Sequence, residues 1–188
     1  MARPRYRKTT LKLHPQHTWT GTPGHQVIAL DRGAVRFDFP RKWVVIPDED
    51  SIKIHDRRPP KDNFRLAVSY IRLAPHIDWT GLPLSELVEV AFQGDERPIH
   101  TWGEIVATRR GDLEIAWREL RFVDPIEHRE AVSRVCMARR GVIQAIITFE
   151  YWDDDAAEGQ RVWETVLRTL RLNEYVADPT RGPWGRDQ

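Results

Sequence analysis

Residues 113–151 have the sequence LEIAWRELRFVDPIEHREAVSRVCMARRGVIQAIITFEY. They contain three β-rich runs, at residues 113–123, 130–138 and 142–151. The turn signals Asp124-Pro125 and Arg139-Arg140-Gly141 separate the runs, and short turns between neighbouring strands favour an antiparallel meander. In the last run, apolar residues alternate with mixed and polar ones. The segment therefore predicts an antiparallel sheet with one covered face and one partly wet face.

Further strands are predicted outward from this segment. Residues 34–39 place Val35, Phe37 and Phe39 on one face, with polar residues between them. Other predicted strands lie at residues 26–30, 43–46, 52–55, 64–73 and 104–108. Leu11 and Leu13 alternate with polar neighbours and predict a short edge strand near the start of the chain.

Two amphipathic helices are predicted between and after the strands. The first follows Pro83 and ends at Gly94, with an apolar stripe at Leu84, Leu87, Val88 and Ala91. The second begins at Asp153-Asp154-Asp155, where Asp155 and Glu158 have the spacing of a capping box. Its apolar stripe is Val162, Trp163, Val166, Leu167 and Leu170. Strands, helix, strands and helix in this order predict an α+β fold, an antiparallel β-sheet flanked by helices.

Charge is unevenly distributed along the 188 residues. Lys and Arg number 29 against 28 Asp and Glu, and this net charge of +1 excludes a globally basic nucleic-acid binder. Residues 1–30 hold five basic side chains and no acidic one, so the remainder has 24 basic against 28 acidic side chains, a net −4. We expect the basic arm to fold over the acidic body, with weak nucleic-acid contact as the lesser alternative.

Cys136 is the one cysteine of the sequence, so no intrachain disulfide and no cysteine-rich zinc site can form. Its strand context favours a small buried hydrophobe, and the alternative is a catalytic thiol activated by a nearby His or Lys. No stretch approaches the ~20 apolar residues of a membrane helix, and no apolar region follows the basic N-terminus. We therefore expect a cytoplasmic protein that makes no membrane contact.

The sequence contains no phosphate-binding loop, no dinucleotide fingerprint and no nucleophile elbow. His14 and His17 form only a weak metal-binding pattern, and helix capping accounts for the three aspartates at 153–155. Glu114 and Glu119 are interleaved with arginines, as is typical of cross-strand pairs rather than of acid–base pairs. His128 lies at a charged hairpin tip, which favours a contact loop over a catalytic role. We expect no cofactor, no metal and no catalytic residue.

The chain has eight tryptophans. Trp117 and Trp163 have core-like positions, and Trp43 opens a strand. The other five lie in loops or at the ends of elements: Trp19, Trp79, Trp102, Trp152 and Trp184. Such residues either close the rim of a core or form a partner surface. Together with His128, these five are the candidate interaction surface.

The sequence also carries a family pattern. Residues 35–43, VRFDFPRKW, resemble the F-x-F-P-x-x-W opening strand of PsbP-like domains. The helix at LPLSEL (82–87), the meander and the ending VLRTLRL (166–172) follow in the same order. The superfamily includes the PsbP subunit of the oxygen-evolving complex, a Ran-binding nuclear import factor and bacterial DcrB-like proteins. The resemblance covers about residues 34–172 and implies an αβα sandwich. It also implies action by protein binding, and it offers no catalytic residue to carry over.

These observations lead to a set of expectations. Residues 1–33 form a basic arm with short edge strands, residues 34–172 form the α+β domain, and residues 173–188 form an extended tail. The leading hypothesis is a cytoplasmic, non-enzymatic module that binds a protein partner through sheet edge, loops or arms. The alternative is a small-molecule binder or enzyme with a tryptophan-edged pocket between sheet and helix. Exchange of the terminal arms could give a homodimer.

Overall fold

The computed structural model of the protein describes residues 6–79 and 81–183. Within these residues the helices are α1 (Leu84–Val90) and α2 (Ala156–Thr169), and a 3₁₀ turn (Asp153–Asp155) precedes α2. The strands are β1 (His25–Leu30), β2 (Val35–Pro40), β3 (Val44–Pro47), β4 (Ile52–His55), β5 (Phe64–Arg72), β6 (Ile99–Trp102), β7 (Val106–Arg110), β8 (Leu113–Val123), β9 (Glu130–Arg140), β10 (Ile143–Trp152) and β11 (Arg171–Leu172).

The large sheet has the strand order β3-β4-β5-β10-β9-β8, and both β6 and β7 pair with the outer side of β8. Every pairing is antiparallel, so the predicted meander of β8, β9 and β10 is confirmed. The sequence did not predict β6, because its apolar residues Ile99 and Trp102 are three positions apart rather than two. A small sheet, β1-β2-β11, stands beside the large one.

Both faces of the large sheet carry a helix. On one face, α2 and the small sheet cover a core that includes Phe37, Phe149 and Trp163, each at most 1% exposed. On the other face, α1 packs its buried Leu84 and Val88 on β8 and β9. This arrangement confirms the predicted α+β class and the flanked antiparallel sheet.

The strand prediction for β2 is confirmed on its apolar face and incomplete on its polar face. Val35, Phe37 and Phe39 are almost fully buried, as alternation predicts. Asp38, on the opposite face, is also buried, at 6% exposure. The loop before β1 covers it, because the Thr22 amide and hydroxyl donate to its Oδ2 at 2.6 and 2.8 Å. The cost of burying this carboxylate is offset by those two bonds.

The two ends of the chain pair with each other. The His14 amide donates to the Thr180 carbonyl at 2.9 Å, and the Thr18 amide donates to Arg181 at 2.7 Å. Leu11 and Leu13 are exposed and lie in no strand, so the edge strand predicted there is wrong. Tyr6 packs against the main core, which places that end of the basic arm on the body.

Hydrogen bonds cross both boundaries of the expected three-part division, which itself stays a prediction. β1 pairs with β2, and the amides of Glu174 and Val176 donate to the carbonyls of Gly33 and Arg32. Gly33 has φ +100°, and a Cβ there would lie 1.9 Å from the Glu174 carbonyl oxygen. Only glycine allows this close approach.

The start of α2 departs from the predicted capping box. Asp155 occupies the cap position but makes no capping hydrogen bond. Its Oδ2 instead accepts from Asn63 Nδ2 at 3.0 Å, which ties the helix start to the loop before β5. A tertiary contact thus replaces the local one, and the capping-box prediction is wrong.

Candidate functional site

Arginine side chains lie over aromatic rings throughout the part of the chain that the structure describes. The pairs are Arg36 on Trp19, Arg72 on Tyr70, Arg97 on Phe122, Arg118 on Trp102, Arg129 on Trp152, and Arg134 on Trp117, Tyr151 and Trp163. Each such contact is worth about 0.5–1 kcal/mol when exposed and more when desolvated. Many of the tryptophans therefore pack against arginine side chains.

Each described tryptophan of the candidate interaction surface has its own local contacts. Trp19 Nε1 donates to the Pro179 carbonyl at 2.7 Å, which ties the tail to the first loop. Trp79 Nε1 donates to the Ala74 carbonyl at 3.1 Å. Trp102 is 46% exposed, Trp152 is half-buried under Arg129, and Trp184 lies outside the described residues. That these residues form one interaction surface stays a prediction.

His128 lies at the tip of the β8–β9 hairpin, as predicted. It has φ +53°, and the Asp124 side chain accepts the amides of Ile126 and Glu127 at 2.9 and 2.8 Å. Ile126 is 81% exposed at this ordered tip. A contact role for the loop stays a prediction.

Arg134 is a buried cation, and its side chain is held inside the main core. Glu119 accepts its Nε and Nη2 at 2.8 and 2.6 Å, and Gln160 accepts Nη2 at 2.7 Å. Burial raises the pKa of the neighbouring Tyr151 to about 12. Burying an unpaired charge costs several kcal/mol. Glu119 and the three aromatic rings around Arg134 therefore stabilise its buried charge, and we call these groups the Arg134 seat.

A second group of arginines surrounds an open cleft of about 400 Å³ between the small sheet, the end of α2 and the loop before β1. We call it the arginine cleft. Its lining residues are Thr20, Gly21, Thr22, Pro23, Val27, Arg36, Asp38, Arg168, Thr169 and Arg171. Trp19 lies at its edge, with its ring 5.7 Å from Arg36 Cζ. The cleft lies between sheet and helix with one tryptophan at its edge, and the alternative of a small-molecule or catalytic pocket edged by several tryptophans stays a prediction.

Positive charge dominates the arginine cleft. Arg36 pairs with Glu174 at 3.1 Å, whereas Arg168 and Arg171 form no ion pair with any residue that the structure describes. Burial lowers the pKa of Arg36, Glu174 partly offsets this effect, and the charge of Arg171 lowers that pKa further. Burial and Arg171 likewise lower the pKa of the nearby Arg110. These groups together favour an anion.

A smaller cleft of about 260 Å³ includes Trp79 and lies between the β7–β8 and β9–β10 turns. Two of its three arginines are paired with carboxylates. Arg139 binds Glu114 at 2.7 Å, and Arg140 binds Asp112 at 2.8 Å. Cations and carboxylates balance here, so this cleft lacks the excess charge of the first.

The outer edge of the large sheet carries exposed apolar side chains. All five residues of β7 are exposed, including Val106, and the neighbouring Trp102 and Val90 are 46% and 53% exposed. Arg118 of β8 connects Trp102 to α1. Its side chain lies over the Trp102 ring, donates to the Gly103 carbonyl at 2.7 Å and pairs with Glu89 of α1. We call Val90, Trp102 and β7 the edge surface.

The structure also describes the surroundings of the cysteine and of the two histidines that the sequence offered as candidate functional residues. Cys136 is fully buried in the main core, and burial raises the pKa of its thiol, which disfavours the thiolate. Across residues 6–79 and 81–183, no three potential metal ligands converge, so His14 and His17 do not assemble a cluster. No helix in the same residues is long and apolar enough to cross a membrane.

The fold resembles that of solved PsbP-like structures. A solution structure of cyanobacterial PsbP from Synechocystis sp. PCC 6803 matches with a TM-score of 0.51 at 17% identity, over 81% of this chain and 94% of that one. LpqN of Mycobacterium tuberculosis, described as involved in cell envelope biogenesis, matches with a TM-score of 0.53 at 10% identity, over 78% and 88%. At these identities the likeness shows the fold alone.

The chain belongs to the Alr1449 family, whose model matches residues 26–176. The uncharacterised protein alr1449 of Nostoc sp. strain PCC 7120 is 41% identical over 176 residues, which is 93% of this chain and 91% of that protein. The matched region contains the three arginines of the cleft and the whole edge surface.

Proposed function

We propose that this protein is a non-enzymatic binding module that accepts an extended segment of a partner protein along its edge surface. The observation that carries the proposal is the exposure of all five residues of β7 beside Trp102 and Val90. Within the described residues, the backbone of β7 bonds to β8 and makes no other backbone hydrogen bond. Unpaired groups on a sheet edge are a template for an added strand.

The side chains on this edge favour docking over protection. Edge strands are commonly shielded by charges that point outward. The Arg110 guanidinium instead donates to the carbonyls of Arg168 and Leu170 at the end of α2, and Arg109 Nε donates to the Gly111 carbonyl. The edge from Val106 to Thr108 therefore carries no charge, and Trp102 has a fixed position under Arg118 that suits an aromatic anchor.

The proposal is tested with a photo-crosslinking amino acid at Thr108 in living cells of the source organism. We expect one discrete crosslinked protein, which Val106→Lys removes because a charge enters the docking edge. Val123→Lys is the matched control, since Val123 has similar exposure, 37% against 42%, at the far end of β8. Equal crosslinking in both variants, or none in the parent, would overturn the docking mode.

Two further parts of the proposal concern location and assembly. We place the protein in the cytoplasm, which cell fractionation tests directly. Homodimerisation through the terminal arms is tested by light scattering of the full chain. The bonds between residues 14–18 and 180–181 are the contacts that an exchange of arms would reuse.

A further inference from the structure

The strand pairing beside the arginine cleft sets two like charges against each other. Arg36 on β2 lies directly opposite Arg171 on β11. Like charges in that position destabilise a strand pair. Arg168 adds a third guanidinium from the last turn of α2, and its Nη2 lies 3.3 Å from Thr22 Oγ1. We infer that the arginine cleft is a binding site for a small oxyanion ligand that carries phosphate or carboxylate groups.

The acidic residues nearby are already committed to other partners. Asp38 accepts the amide and hydroxyl of Thr22, so its charge is held at the base of the cleft. Glu174 is shared between Arg36 and Arg140, at 3.1 and 2.7 Å. Three arginines therefore face two carboxylates, one of which also serves a fourth arginine. The cleft retains positive charge that a ligand can neutralise.

Part of the positive charge has a structural role at the end of α2. Arg171 Nη1 donates to the Leu170 carbonyl at 2.9 Å, and Arg110 donates to the same group of carbonyls. Cations are favourable at a helix C-terminus. This role accounts for part of the charge of Arg171 and of Arg168, which lies in the last turn of α2. It leaves the Arg168 guanidinium with a hydroxyl contact and no carboxylate partner among the described residues.

The smaller cleft serves as an internal comparison. It is also lined by three arginines, but Arg139 and Arg140 have carboxylate partners within 2.8 Å. Carboxylates thus pair with two of the three arginines in the smaller cleft, but with only one described arginine, Arg36, of the three in the arginine cleft. The difference singles out the arginine cleft.

The shape and lining indicate the class of ligand. A volume of about 400 Å³ lies within the range of metabolite-sized pockets, about 300–1,000 Å³. Guanidinium forks bind carboxylate and phosphate bidentately. Hydroxyls of Thr20, Thr22 and Thr169 complete a polar wall that suits a hydrophilic, multiply charged molecule. The site is separate from the edge surface, so this inference does not depend on the proposed function.

The test is an NMR titration of the ¹⁵N-labelled full chain with inorganic phosphate and, separately, with citrate at constant ionic strength. We expect saturable shifts of the Thr22 and Arg168 amides with at least one probe. Arg168→Gln should weaken the binding about tenfold, the equivalent of one lost charged hydrogen bond. Arg161→Gln is the matched control, because Arg161 is an exposed arginine of the same helix that pairs with Glu158 outside the cleft.

The outcomes separate cleanly. Tighter binding of phosphate assigns a phosphorylated ligand, and tighter binding of citrate assigns a polycarboxylate. Equal weakening in both variants means general charge attraction and overturns the site. Linear shifts without saturation, or shifts remote from Thr22, overturn it as well. An unchanged spectrum of unliganded Arg168→Gln verifies that the variant is folded.

Discussion

Arg134 and Arg168 carry the same guanidinium group in opposite surroundings. Arg134 is 4% exposed, is bound by Glu119 and Gln160, and lies among three aromatic rings. Arg168 is exposed at the end of α2, where its guanidinium contacts a threonine hydroxyl. The first arginine has its partners inside the protein, and the second presents its donors to an open cleft.

The difference separates stability from binding. A buried charge is tolerated only where the protein itself neutralises it, so its removal leaves a partner without compensation. An exposed charge is solvated by water and adds little to stability. Its donors remain available to a ligand. Substitutions at the two sites should therefore have effects of very different size on the free energy of unfolding.

The largest effect is expected for Arg134→Met. The substitution keeps the volume and the ring contacts but removes the partner of Glu119, and breaking a buried pair costs about 3–5 kcal/mol. Glu119 keeps a weaker contact to Arg121 at 3.3 Å, so we expect the loss in the free energy of unfolding to lie near the lower end of this range. Denaturant unfolding, followed by tryptophan fluorescence, measures it.

The double variant Arg134→Met with Glu119→Leu is the control for this interpretation. Replacing both members of a buried pair by apolar residues is often nearly neutral, so the double variant should recover most of the loss. A single variant that loses less than about 1 kcal/mol would show that Arg134 is not a structural charge.

An intermediate effect is expected for Gly159→Ala, which changes the wall of the Arg134 seat. Helix propensity alone would stabilise this change by about 1 kcal/mol. A Cβ at Gly159 would, however, lie 2.7 Å from the Tyr151 ring, which itself lies against Arg134. Overpacking of a buried site costs about 1–3 kcal/mol, so we expect a net loss or at best no gain.

Ala157→Gly measures the propensity term in the same helix without the clash, because Ala157 is exposed. It should cost about 1 kcal/mol. If Gly159→Ala stabilises the protein by that same amount, the contact between Gly159 and Tyr151 does not constrain the helix.

Sequence pattern predicted the fold because alternation and stripes are local signals. It placed β8 to β10, both helices and the buried face of β2, and it predicted the cross-strand pairing of Glu119. It could not predict the burial of Arg134, since Trp163 reaches that face from α2. The tryptophan pattern likewise predicted rim positions but not the arginines that cover them.

The sequence did not predict the arginine cleft, for a similar reason. Arg36 lies in VRFDFP and Arg171 in VLRTLRL, two segments that the sequence marked for fold alone. They meet only because β11 pairs with β2 in a register that sets the two arginines opposite each other. Register between segments so far apart is a tertiary property. No local pattern in either segment marked its basic residue as the neighbour of the other.

The smallest effect is expected for Arg168→Gln, the counterpart of Arg134→Met. Removal of one of three clustered cations relieves repulsion from Arg36 and Arg171, and the side chain makes no ion pair among the described residues. Loss of a cation from the last turn of α2 opposes this relief, so the free energy of unfolding should change by less than about 0.5 kcal/mol, as is usual for exposed positions. Arg161→Gln should instead lose a few tenths, about 0.2–0.5 kcal/mol, because it breaks the pair with Glu158. Denaturant unfolding of both variants in phosphate-free buffer measures this order. A loss above about 1 kcal/mol for Arg168→Gln would place Arg168 with Arg134 among the structural arginines, and the cleft would then need its charge for folding rather than for a ligand.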